Sequence, residues 1–379
     1  MDIAIAPNAF RGSLSAAQAA FCIAEGLQRS RLPALPLLMP LADGGDGTLD
    51  VALRGLGGER IELTVRGPLG QPVRAALGLF SDGQTALIEM AQASGVELIS
   101  KHERDPLRAT SYGTGELIRA AVERGFKRIL IGLGGSATND GGAGAMQALG
   151  ARLLDSDGNE IGPGGAALSC LARIETDALQ RLLYDAELVA LCDVDNPLTG
   201  SRGASAVFAP QKGANAEAVE TLEAALSHFA EIIQRDLNTD ISQTAGGGAA
   251  GGFGAGLVAF TGARIAPGAE TLIRLLGYDQ QLGGAALLIT GEGKLDSQTA
   301  SGKAVRAIAA EAARHEIPVL ALVGTLDCSP ADLAEMNIES AFSIIREPCT
   351  LEEASAHAAE WLTQAAQNLA NTLALSIRK

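Results

Sequence analysis

The same βα rhythm opens and closes this chain, and a different pattern fills the stretch between. Residues 1–55 read as strand, loop and helix, twice over. Residues 3–6 make a short apolar strand, Ser15 and Gln18 have capping-box spacing for a helix ending near Gln28, and residues 35–39 make a second strand. Pro33, Pro36 and Pro40 bracket that second strand and place it near a sheet edge, because proline has no N–H to give to a ladder. From Ala285 the rhythm resumes, with strands predicted over 286–290, 319–323 and 341–345 and a long C-terminal helix. Together these make five parallel strands with helices between them, the element count of a flavodoxin-like doubly wound sheet. The expected fold class is therefore α/β, with that sheet built from both chain ends.

Between those ends apolar residues alternate instead. Ile61, Leu63 and Val65, then Val73, Ala75, Leu77 and Leu79, are separated by Gly67-Pro68-Leu69-Gly70, and Ser81-Asp82-Gly83 follows, which predicts an antiparallel meander. βα units come next, with strands over 128–131 and 187–191 and a helix over 141–149. A longer helix over 217–237 gathers Val219, Leu222, Leu226, Phe229 and Ile233 on one face. The expected division is residues 1–57 plus 284–379 in the doubly wound domain and residues 58–283 in an inserted α/β domain with a mixed sheet. Hydrophobic residues make up 47% of the chain but aromatics only 3%, so small aliphatic side chains must fill both cores.

The charge balance excludes some partners. A formal charge of −15 repels polyanions at long range, which argues against nucleic acid, although placed cations and backbone N–H groups can still bind a small anion. Cys22, Cys170, Cys192, Cys328 and Cys349 are scattered without zinc-ligand spacing, as expected in a reducing compartment. No 18-residue apolar run or basic leader appears, so the sequence reads as a cytoplasmic protein off the membrane, with a homo-oligomer possible.

If the strand order is 2-1-3-4-5, ligands bind outside the carboxyl ends of strands one and three, near residues 7–13 and 291–297. Lys294 and Asp296 lie there, the first suited to neutralising phosphate oxygens and the second to acting as base or metal ligand. Asp43 and Asp46 stand on a glycine-rich turn after the second strand, where they could hold Mg²⁺, and Asp46 could equally cap a helix. Asp193 follows the strand over 187–191 and could take a proton or a metal; turn chemistry accounts for Asp195-Asn196-Pro197 beside it. Gln211-Lys212-Gly213 lies a short distance on, and the run 246–252 is a glycine-rich turn without an assigned chemistry.

Gly132-Leu133-Gly134-Gly135-Ser136-Ala137-Thr138-Asn139-Asp140 follows a strand and opens a helix. Its small residues could bring backbone N–H groups to an anion, with Ser136 and Thr138 adding hydroxyls, or it could be a tight turn with a capped helix. The loose match of Gly132, Gly134 and Ala137 to a dinucleotide fingerprint, with Asp155 beyond, keeps an NAD-dependent oxidoreductase of a small hydroxy acid as an alternative. A non-enzymatic anion-sensing module is another. No Walker A sequence is present.

Taken in order, these blocks resemble the type I glycerate kinase family over essentially the whole chain. The resemblance rests on Ala6-Pro7-Asn8-Ala9-Phe10-Arg11-Gly12-Ser13, Ala42-Asp43-Gly44-Gly45-Asp46-Gly47-Thr48, the glycine-rich block ending at Gly142, Cys192-Asp193-Val194, and Thr290-Gly291-Glu292-Gly293-Lys294-Leu295-Asp296 running on through Ser297-Gln298-Thr299. Asn8 stands where the family more often has Asp, and Arg11 where Lys is usual. The resemblance implies ATP- and Mg²⁺-dependent phosphorylation of D-glycerate, most often at the 2-hydroxyl. Under it, Asn8, Arg11 and Ser13 are expected at the glycerate and Gly134, Gly135, Ser136, Thr138 and Asn139 at the phosphates. Asp43 and Asp46 are expected at Mg²⁺, with Lys294, Asp296 and Asp193 catalytic and Asp296 favoured as base.

Overall fold

The structure is a computed structural model that describes residues 1–296 and 303–377. In chain order its strands are β1 (Asp2–Pro7), β2 (Leu35–Leu38), β3 (Gly58–Arg66), β4 (Pro72–Phe80), β5 (Thr85–Glu89), β6 (Arg128–Gly132) and β7 (Arg152–Leu154). They continue with β8 (Arg173–Glu175), β9 (Glu187–Leu191), β10 (Arg264–Ala266), β11 (Leu287–Asp296), β12 (Val319–Asp327) and β13 (Ser340–Ser343).

Chain contacts form two compact units. One comprises Met1–Asp43, Asp50–Ala52 and Ala269–Lys379; the other comprises Gly44–Leu49 and Leu53–Gly268. The return to the first unit thus falls at Ala269, where the sequence reading placed it at 284. Tyr278 shows the reason: its ring is buried and its hydroxyl donates to Pro40 O at 3.1 Å, which ties the helix Tyr278–Leu282 to the first unit.

The split unit has the sheet order β13-β12-β11-β1-β2, all parallel. Its two N-terminal strands take the edge and the neighbouring position, as the prolines around β2 require. The helix Ala16–Gln28 begins at a complete Ser15–Gln18 capping box and buries Ile23 and Leu27. These meet Leu362, Ala366 and Ala370 of the long helix Leu351–Ile377, so Ala and Leu close the core on that face. Each fully buried Leu or Ile contributes about 1.5–3 kcal/mol relative to exposure.

β11 departs from expectation. It runs on to Asp296 instead of ending at Thr290, and β12 likewise continues to Asp327. The two strands keep pairing, with Lys294 opposite Thr325 and Asp296 opposite Asp327. A charged, glycine-containing segment read as loop is therefore strand, because a paired neighbour outweighs weak local propensity. The Ser297-Gln298-Thr299 part of that block lies outside the described residues.

The inserted unit holds the order β10-β9-β6-β5-β4-β3, with β3, β4 and β5 antiparallel and the others parallel. Its core gathers Leu77, Ile88, Met146, Leu226, Phe229 and Phe253, and Phe229 stacks on Phe260 with centroids 6.2 Å apart. The run 246–252 folds as a kinked turn leading into a helix. At Gly251 a Cβ would stand 2.1 Å from Thr138 O and φ is +70°, so the glycine serves the close approach of two backbones. No helix among the described residues is long and apolar enough to cross a membrane.

Candidate active site

At the carboxyl ends of β1, β11 and β12, the split unit encloses a cavity of about 330 Å³. Asn8, Arg11, Ser13, Asp43, Glu292 and Lys294 line its polar part, and Ile344, Leu351, Ala354 and Ala358 line an apolar part. This is the switch point, where the two strands flanking the crossover part company and open a crevice. The turn after β1 shapes one wall: Asn8 N–H donates to Gly291 O at 2.8 Å and Phe10 N–H to Leu14 O at 2.9 Å.

The side chains on that turn differ in what they can offer. Asn8 Oδ1 accepts the Ala9 N–H at 2.9 Å, leaving its amide NH₂ as a donor. A carboxylate could not donate there, which gives Asn8 a distinct use. The Ser13 hydroxyl already donates to Phe10 O at 3.0 Å, so only its lone pairs remain. Arg11 is exposed and retains a full guanidinium fork.

Glu292, Lys294 and Asp296 alternate on one face of β11. Lys294 Nζ lies 3.1 Å from Asp296 Oδ2 and 3.4 Å from Asp327 Oδ2. The hydrogen bond and charge of Asp296, then Asp327, raise the Lys294 pKa, so it stays an ammonium at neutral pH. Glu292 and Lys294 line the cavity, whereas Asp296 stands behind Lys294 with a side chain only 6% exposed. This placement suits Asp296 to holding the ammonium. Glu292 and Asp327 escaped the sequence reading; period-2 counting along an extended β11 would have found Glu292.

In the inserted unit the residues 132–140 form the expected loop after β6, but its glycines serve packing. A Cβ on Gly132 would lie 2.3 Å from Gly44 O, and Gly134 N–H donates to that same oxygen at 3.3 Å. The N–H groups of Leu133 and Ala137 are taken by Leu191 O and Ser94 O. The helix that follows is short, Ala143–Leu149, and the chain's own Asp140 fills its start by accepting Gly142 N–H at 3.1 Å and Gly144 N–H at 3.3 Å. Ser111 adds its N–H and hydroxyl to the same carboxylate, while burial pushes the Asp140 pKa up. The helix terminus is thus already occupied by a carboxyl group from within.

Thr138 and Asn139 are wholly buried. Thr138 Oγ1 donates to Ala250 O at 3.3 Å, and Asn139 Nδ2 to Ser205 Oγ at 3.1 Å. Gly134 is half-buried, Gly135 exposed, and Ser136 only 8% exposed. Beneath them comes Lys212, which sequence reading noted but gave no role: it is 3% exposed and donates to Ser136 Oγ at 3.0 Å and Thr138 O at 2.7 Å. Burial lowers its pKa to about 7, against a smaller opposing effect of Asp140. No sequence pattern marks a lysine at the end of a three-residue 3₁₀ turn as buried.

The candidate metal ligands belong to different units. Asp43 lines the split unit's cavity, whereas Asp46 is exposed in the inserted unit, its Oδ1 3.4 Å from where a Cβ on Gly135 would stand. Asp193 Oδ1 accepts the N–H of Gly268 at 2.9 Å, at the start of the helix Gly268–Leu275. Asp195 pairs with Arg202 at 2.8 Å, as its turn role suggests. Among the described residues no group of three His, Cys, Asp or Glu could hold a metal alone. Mg²⁺ usually keeps water and takes one or two carboxylates plus phosphate oxygens, which the lone Asp46 and the Asp43 and Glu292 set both fit.

Comparison with known proteins bears on what this constellation is for. The model of the glycerate kinase family matches residues 3–374. The chain belongs to the glycerate kinase family. A glycerate kinase of Bacillus subtilis is 44% identical over 376 residues, covering 99% of this chain and 98% of the relative. The glycerate 2-kinase of Escherichia coli is 43% identical, covering 100% and 99%. A solved structure from Salmonella typhimurium LT2, of a protein assigned as glycerate kinase 2, superposes with a TM-score of 0.89 at 46% identity over the whole of both chains. The α/β fold described above is thus shared with that structure.

Proposed function

We propose that this chain transfers the terminal phosphate of ATP to the 2-hydroxyl of D-glycerate. The observation that carries this reading is the switch-point cavity, which sets the cations of Arg11 and Lys294 beside the carboxylates of Asp43 and Glu292 in a member of the glycerate kinase family. A short hydroxy acid needs a cation for its carboxylate, and Arg11 offers a planar fork that matches one. The Asn8 amide then has a donor for a substrate oxygen. The name of the Escherichia coli relative supports position 2.

In phosphoryl transfer the substrate oxygen forms its bond to phosphorus as the bond to ADP breaks, and the hydroxyl proton leaves to a carboxylate or water. Lys294, held by Asp296 and Asp327, meets the charge on the moving phosphate. Mg²⁺ bound at Asp43 and Glu292, or at Asp46, would screen phosphate oxygens. ADP release that depends on D-glycerate tests the proposal; reduction of NAD by a hydroxy acid, or anion binding with no ADP formed, would replace it with another.

A further inference from the structure

An ammonium has three N–H donors, and Lys212 uses two of them, on Ser136 Oγ and Thr138 O. Its third donor meets no acceptor among the described residues. A charged group this deeply buried is costly unless something compensates it. Ser136 is in a related position. Its oxygen accepts from Lys212, so its own O–H is turned elsewhere, and among the described residues nothing accepts it. The loop opens to solvent at Gly135 and Gly134, next in the chain.

We propose that Lys212 is a positioning residue for phosphate, fixing Ser136 as a charge-backed hydroxyl donor to an oxygen of the nucleotide's phosphates. The inference rests on reading this loop as the phosphate side of the proposed kinase. It replaces the helix-terminus mode, which Asp140 has taken, with a side-chain donor whose direction a buried cation sets. A hydroxyl that accepts from a cation is polarised toward its own acceptor, so the two hydrogen bonds in the chain strengthen each other.

The groups around Lys212 give this donor a pH dependence. Asp140 is the charged group acting on it, and lies beyond ion-pair distance. Arg104 lays its backbone carbonyl against Gly213, next to Lys212, and sends its guanidinium to Glu97 at 3.1 Å. With a pKa lowered to about 7, the ammonium gives way to the amine above neutrality. Phosphate binding should then weaken as pH rises through that range.

The test is KM for ATP and kcat, with saturating Mg²⁺ and D-glycerate, from about pH 6 to pH 9. Wild type should show KM rising above about pH 7. Lys212→Met should raise KM at low pH by roughly tenfold with a smaller change in kcat, Ser136→Ala should flatten the pH dependence, and Lys212→Arg should restore part of the affinity without it. A Lys212→Met enzyme within about twofold of wild type throughout overturns the proposal. If that variant fails to fold, Ser136→Ala decides: a KM that still climbs with pH as in wild type overturns it. If wild type makes no ADP with D-glycerate, the kinase reading fails, and sulfate, which carries no proton here, tests Lys212 by calorimetry in two buffers. Proton uptake by wild type on binding sulfate, absent in Ser136→Ala, supports the inference; equal uptake in both, or none, overturns it.

Discussion

Lys294 Nζ rests 3.1 Å from Asp296 Oδ2, two positions along the same face of β11, and 3.4 Å from Asp327 on the neighbouring strand. A long flexible lysine with half its side chain exposed would otherwise sample many rotamers. Two carboxylates on paired strands fix its direction and keep it charged. The pairing of β11 with β12 beyond the sheet's centre therefore prepares a cation at the cavity.

Kinetics should show the two residues acting as a unit. Lys294→Ala is expected to lower kcat by roughly a hundredfold or more, and Asp296→Asn by roughly tenfold to a hundredfold, with folding intact by circular dichroism. If Asp296 acts through Lys294, the double variant should be little worse than Lys294→Ala. Multiplying losses would show that Asp296 has an independent catalytic duty such as base.

Metal dependence should separate Asp43 from Asp296. Asp43→Asn is expected to shift the Mg²⁺ concentration for half-maximal rate upward by roughly tenfold, with partial rescue at high Mg²⁺, whereas Asp296→Asn should leave it in place. An unchanged requirement in Asp43→Asn would move the metal to Asp46.

Lys212 has a signature in stability as well. Its folded pKa of about 7 lies below the ordinary 10.5, so from about pH 7 to about 10.5 the unfolded chain holds the extra proton. The group's contribution to stability therefore rises with pH across that window, and its cost is fully present below it. The unfolding free energy of wild type minus that of Lys212→Met, from urea titrations, should climb by a few kcal/mol between about pH 7 and pH 10. A flat difference would mean that the buried ammonium is stabilised by partners beyond those described.

Much of the split unit was legible because local signals agreed with one another. The Ser15–Gln18 capping box, the prolines around β2 and the returning βα rhythm each constrain one element, and the observed strand order is the one set as the condition for the crevice. The end of β11 was not legible, since Gly291, Gly293 and the charges between them look like loop until β12 lies alongside. At the site, Lys294 and Arg11 line the cavity at the strand ends where the assumed strand order set a crevice, and Asp43, expected at Mg²⁺, lines it as well. Lys212 was hidden because burial of a lysine is decided by distant segments, here the 136–138 backbone and side chains some 70 residues earlier in the chain. The glycines of 132–135 could be read either for ligand approach or for a tight turn and those of 246–252 had no assigned chemistry, and much of their use is backbone against backbone, a demand that composition cannot distinguish from anion binding.

The position of phosphorylation tests the central claim most directly. Purified protein incubated with ATP, Mg²⁺ and D-glycerate should yield a single new phosphomonoester, whose proton-coupled ³¹P NMR signal is a doublet from the one hydrogen on C2, matching authentic 2-phosphoglycerate. A triplet from the two hydrogens on C3 would reassign the acceptor to the 3-hydroxyl, and ATP left intact with no phosphoglycerate formed would contradict the account.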